Sequence, residues 1–127
     1  MGNQHGWIGI DVSWNNCKGV DEVEVCGYPG DKHKKSKYTE WTMWKDSGKY
    51  EIKDPFLTYK ISTSAGNSGS PLLKTKNGKT YAIGVHMRGE KKEENFAIRL
   101  TYSTINKINE WVGEITGKLD LSKLVFI

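Results

Sequence analysis

Over the first hundred residues the hydrophobic pattern of this chain has a period of two and is broken every few positions by glycine, proline or asparagine, which restricts it to short β-strands. Residues 20–28 show it most clearly: Val23 and Val25 alternate with Glu22 and Glu24, as a half-buried strand requires, and Pro29-Gly30-Asp31 ends the run. Residues 6–12 form an earlier run. Residues 38–44 and 50–52, separated by Lys45-Asp46-Ser47-Gly48-Lys49, read as a hairpin of rather polar strands. Residues 56–61 make another strand, and 71–73 and 81–85 flank Asn77-Gly78, the strongest hairpin signal present. The last strand falls at 95–101.

Only the tail changes period. Ile105, Ile108, Val112 and Ile115 recur at helical spacing, with Ser103 or Thr104 to cap the start and Gly117 to end it. Six or seven antiparallel strands over about 6–101, closed by a helix over about 103–116, predict a small all-β barrel. At 127 residues the chain is one domain, 1–127, with no room for a second of similar size. A domain of this size buries roughly two thirds of its unfolded surface and folds without a metal or disulfide.

Several functions are disfavoured at once. No run approaches a membrane span, so no membrane partner is expected, and Met1-Gly2-Asn3-Gln4-His5 lacks the character of a secretory leader. The net charge of +4 owes much to Lys32-His33-Lys34-Lys35-Ser36-Lys37, but no zinc-finger spacing, aromatic RNA-binding box or recognition helix accompanies it, so nucleic acid is not expected. Cys17 and Cys26 are spaced to pair as a disulfide in an oxidising compartment or to remain free thiols. Neither has close metal-ligand neighbours, and no metal or other cofactor is expected.

Chemistry concentrates in Ser62-Thr63-Ser64-Ala65-Gly66-Asn67-Ser68-Gly69-Ser70-Pro71, a run of small and polar residues between two strands. A nucleophilic serine needs a turn tight enough to present its hydroxyl and to aim backbone N–H groups at a developing oxyanion, and small residues permit that turn. Gly66-Asn67-Ser68-Gly69-Ser70-Pro71 resembles the nucleophile loop of chymotrypsin-like serine proteases, the glutamyl endopeptidase branch in particular. Val25-Cys26-Gly27-Tyr28-Pro29-Gly30-Asp31-Lys32, Thr42-Met43-Trp44-Lys45-Asp46-Ser47-Gly48-Lys49, Ile83-Gly84-Val85-His86 and Asn95-Phe96-Ala97-Ile98-Arg99-Leu100 are similar to further segments of that family in order and spacing.

The resemblance implies a six-stranded antiparallel Greek-key barrel, the second of that fold's two, with a C-terminal helix. It implies Ser68 as nucleophile, the N–H groups of Gly66 and Ser68 as oxyanion hole, and Thr63 and His86 in the primary specificity pocket. Met87 and Gly89 belong to the edge that pairs with substrate. Ser62 stands where trypsin-like enzymes carry the aspartate that selects Lys and Arg, so that specificity is not expected; a hydroxyl and an imidazole instead suit a carboxylate, and the implied substrate is a polypeptide cut after Glu, and after Asp to some extent. One position departs from that branch, Arg88 replacing an expected small residue; Asn67, which resembles the branch, stands where trypsin-like enzymes carry the aspartate that pairs with a new N-terminus, so activation through that ion pair is not expected.

The triad also needs a general base and an orienting carboxylate, which this family draws from its first barrel. His5, His33, Asp11, Asp21 and Asp31 do not match those roles, so the chain by itself is expected to be nearly inactive. The missing barrel is then an expected partner, in a longer chain or a separate one. The alternative is a non-catalytic peptide-binding or regulatory half-domain. Secretion is suggested by the resemblance alone.

Overall fold

The computed structural model describes residues 6, 8–13, 18–33, 42–90 and 94–116. His5, Cys17, Lys34 to Lys37, residues 38–41 of the expected hairpin, and Gly117 lie outside them. The elements run β1 (Gly9–Ile10), β2 (Lys18–Gly27), α1 (Gly30–His33), β3 (Trp44–Lys53), β4 (Phe56–Tyr59), β5 (Pro71–Lys76), β6 (Lys79–Glu90), β7 (Glu94–Arg99) and α2 (Tyr102–Thr116).

Strands β2, β3 and β4 form an antiparallel meander, and β5 returns by a long connection to pair with β2 on its free side. The spatial order β5-β2-β3-β4 is a Greek key. Hairpins add β6 to β5 and β7 to β6, and β7 then pairs with β4, closing six strands into an antiparallel barrel. The crossing from β4 to β5 is made by residues 60–70, so the topology itself places the Ser68 loop at one end of the barrel.

Alternation along each strand fills the interior with Val23, Val25, Tyr50, Leu57, Tyr59, Ile61, Leu72, Ile83 and Ala97, all buried. One cation joins this wall: the Lys74 ammonium, 6% exposed, donates to Asp21 Oδ2 at 2.6 Å and to the Tyr50 hydroxyl at 3.2 Å, linking β5, β2 and β3. Val12, Leu100 and Ile105 form a second cluster that seats α2.

Three expectations about elements are revised, and one short helix is added. Residues 6–12 contribute only the two-residue β1, and it runs parallel to β6 rather than antiparallel. Asp11 stops it: its N–H donates to Ala82 O, while its buried carboxylate accepts from the N–H and hydroxyl of Ser13 in an Asx turn. Residues 45–49 are not a turn but the middle of β3, paired residue for residue with β2. Gly48 is there for close approach, since a Cβ would stand 2.6 Å from Lys60 O. Residues after Pro29 wind into the single turn α1. Helix α2 begins at Tyr102 and is capped by Thr101, whose Oγ1 accepts from the Thr104 N–H at 3.2 Å, so neither Ser103 nor Thr104 is the cap. Of its apolar residues Ile105 is buried and Ile108 is 38% exposed.

Candidate active site

Residues 62–70 have no strand of their own, yet they are anchored on every side. From β3, Asp46 Oδ2 accepts the Ser62 N–H at 3.1 Å. From the α1 region, Gly30 N–H donates to Ala65 O at 2.6 Å and Asp31 Oδ1 accepts the Ser64 hydroxyl at 2.6 Å. From β6, His86 O accepts the Gly69 N–H and His86 N–H donates to Ser70 O, each at 2.8 Å. The Asn67 side chain is buried against β2, where a Cβ on Gly27 would lie 2.5 Å from its Oδ1.

The local turn is made by two left-handed glycines, Gly66 at φ 104° and Gly69 at φ 85°. Asn67 N–H bonds Ser64 O, and Ser70 N–H bonds Asn67 O. Among the described residues no acceptor faces the N–H of Gly66 or of Ser68. Two unpaired donors two residues apart, beside an exposed serine hydroxyl, form an arrangement able to hold an anionic oxygen. The Ser68 hydroxyl itself donates to Met87 O at 3.0 Å, so its proton rests on the backbone of β6.

Next to Ser68 lies a pocket of about 310 Å³ lined by Thr63, Ser64, Ala65, Ser68, His86, Arg88 and Gly89. His86 is 3% exposed, and its Nδ1 shares a short hydrogen bond with the Tyr59 hydroxyl. Burial lowers the pKa of His86 from its ordinary value and raises that of Tyr59, so both groups are held neutral. Thr63 Oγ1 donates to Asn95 Oδ1 at 2.6 Å, and Asn95 Nδ2 in turn donates to Ile61 O at 2.6 Å. Gly89 leaves room for this pair: a Cβ there would come within 2.7 Å of Asn95 Oδ1.

Ser68, Gly66, Thr63, His86, Met87 and Gly89 thus meet at one end of the barrel. Sequence reasoning missed Tyr59 and Asn95, which hold His86 and Thr63 from behind. The period of β4 shows that Tyr59 points inward, but no signal in the sequence says that it meets His86. The three aspartates are engaged elsewhere: Asp11 with Ser13, Asp21 with Lys74, Asp31 with Ser64.

No family model matches the chain. Solved structures share its fold: a thermostable serine protease, AL20, from an extremophile (TM-score 0.61, 13% identity, 89% of this chain and 51% of that one), and the inactive form of Rv3671c from M. tuberculosis H37Rv (0.55, 17%, 87% and 55%). A tobacco etch virus protease complexed with product is a third (0.53, 14%, 82% and 42%). The barrel is that of the chymotrypsin-like serine proteases. In sequence the chain is similar to the glutamyl endopeptidases, being 35% identical over 94 residues to the enzyme of Staphylococcus aureus strain MW2 and 34% identical to that of strain MRSA252. Those 94 residues are 73% of this chain, which spans about a quarter of the length of these relatives, 26% and 24% respectively.

Proposed function

We propose that residues 1–127 form one domain, the nucleophile-bearing barrel of a serine endopeptidase that cuts polypeptides after Glu and, less readily, Asp. The observation that carries this reading is the pair of N–H groups on Gly66 and Ser68, left without an acceptor among the described residues on either side of the bonded Asn67 amide and beside the exposed Ser68 hydroxyl. A carbonyl oxygen placed between them gains hydrogen bonds as it becomes an oxyanion, while Ser68 Oγ attacks the carbonyl carbon. Before attack, the Ser68 proton leaves Met87 O for a general base.

That base lies outside the described residues. His86 cannot serve, because Nδ1 is bound to Tyr59 and the ring belongs to the pocket. It serves instead as the acid reader. The single Tyr59 hydroxyl proton goes to Nδ1 across the short contact rather than to Phe96 O at 3.5 Å, which leaves the imidazole proton on Nε2. A neutral Nε2–H donates to a substrate carboxylate. Thr63, its proton held by Asn95, forms the wall beside it, and Met87 and Gly89 present backbone to the substrate strand.

The base and its carboxylate come, on this reading, from a first barrel packed against the Ser68 end. Without a base, turnover falls on the order of a millionfold. An extracellular location accompanies the same reading.

Fluorophosphonate labelling tests it. The protein complete with its first barrel is expected to label at Ser68 and to lose labelling in Ser68→Ala, while residues 1–127 alone label far more slowly. Absence of labelling in the complete protein overturns the proposal and leaves a peptide-binding half-domain.

A further inference from the structure

The β6 edge beside Ser68 is open. Strand β5 pairs with β6 only as far as Pro71 opposite Val85, and Gly69 and Ser70 continue that contact to His86. Beyond His86, among the described residues, no strand pairs with that edge. A peptide laid along residues 87–89 extends the sheet and ends at Ser68.

The opposite edge of this segment fixes which way its side chains face. His86 pairs with Ala97, Arg88 with Phe96 and Gly89 with Asn95, so Met87 is the extra residue of a β-bulge. Paired residues share a face. Ala97 and Asn95 are buried inside the barrel, whereas Phe96 pairs with Thr58 on the other face and stacks edge-on against Phe56. By this register His86 and Gly89 lie on the inward face of β6 and Arg88 on its outward face, exposed and at the rim of the pocket that His86 lines. Without the bulge, His86 and Arg88, two residues apart, would have faced the same way.

Resting on the proposed peptidase function, we infer that Arg88 creates a second acid-selecting position. Neighbouring side chains of an extended peptide point to opposite faces. When one residue enters the His86 pocket, the residue before it lies on the face of Arg88. The guanidinium offers a fixed positive charge to a carboxylate there, a charge that the neutral His86 does not supply. The substrate class is a polypeptide carrying two consecutive acidic residues, the second of them at the cut.

The test uses the intact protein with Ser68→Ala to stop turnover, and labelled peptides with Glu for the His86 pocket preceded by Glu, Gln or Lys. Fluorescence anisotropy is expected to rank them Glu, Gln, Lys, with about three- to fivefold between Glu and Gln, the worth of a partly exposed ion pair. The preference should fade at about 1 M salt, where screening reaches about 3 Å. Arg88→Gln should abolish it, Arg88→Glu should invert it, and Arg88→Lys should keep its direction. Equal affinities, an order unchanged in Arg88→Glu, or no binding of any peptide overturns the inference. Cleavage by the Ser68 protein is measured alongside. Charge-ordered binding without cleavage refutes the peptidase function and leaves the Arg88 position standing; cleavage after Glu regardless of the preceding residue does the reverse.

Discussion

Gly66 and Gly69 share left-handed backbone but not surroundings. A Cβ on Gly66 would meet Tyr28 O at 2.5 Å, whereas one on Gly69 meets nothing within 4 Å. Gly69→Ala should therefore cost only the conformational strain, about 1–2 kcal/mol. Gly66→Ala adds a clash with backbone that cannot rotate away, and should cost more than about 2 kcal/mol while abolishing Ser68 labelling. Urea unfolding of both variants, with labelling rates, checks the contrast; equal losses would mean that Gly66 does not set the loop. His86 predicts a pH effect. Its folded pKa lies below the unfolded value near 6.5 because burial disfavours the cation. Below 6.5 the unfolded chain takes up the proton first, so this residue's contribution to stability is full above 6.5 and is lost as pH falls toward the folded pKa. Unfolding midpoints between pH 7 and 5 should drop further in wild type than in His86→Gln. That Ser68, Gly66 and His86 come together was legible because loop composition and strand order mark them. Tyr59 and Asn95 were not, because their roles arise from pairings 27 and 32 residues away in sequence.

Among the elements, legibility follows whether the deciding interaction is local. Asn77-Gly78 is a turn in sequence and in space, with φ of 51° and 73°, the left-handed pair that a tight hairpin demands. The alternation of β2 was likewise legible, since Val23 and Val25 are buried as the period requires. Residues 45–49 misled because Asp, Ser and Gly usually mark turns. Here Gly48 serves a crossing by residues 60–61, and pairing with β2 outweighs local turn preference. The helix start shifted by only one or two residues, the usual ambiguity among consecutive Thr, Tyr, Ser and Thr, each position being decided by which hydroxyl meets an N–H. The β6 bulge left no mark in sequence. It is defined only by the register against β7, and it alone puts Arg88 and His86 on opposite faces of β6.

At the scale of the molecule, the Greek key brings a loop from between β4 and β5 against residues from β2, β3 and β6. That end of the barrel carries apolar side chains open to solvent, including Val85 and Met87 at 38% and 39% exposure along β6 beside Ser68. Elsewhere Met43, Trp44 and Trp111 are exposed at 60%, 40% and 52%. Unpartnered surface of this kind promotes association. Sedimentation of residues 1–127 is expected to show concentration-dependent self-association in the micromolar range, relieved by a matching first barrel. A well-behaved monomer throughout that range would count against a barrel that normally packs there. By itself the sequence determined the strand-rich class, the terminal helix, the small-residue loop at 62–70 and the similarity to glutamyl endopeptidases, because period, turn residues and contiguous motifs are local properties that a linear string carries. The closure of six strands, the neutral state of His86 behind Tyr59, the idle proton of Ser68 on Met87 and the outward face of Arg88 were decided by the tertiary structure. Each depends on which distant residues share a register or a buried volume, and burial and register exist only once the chain has folded.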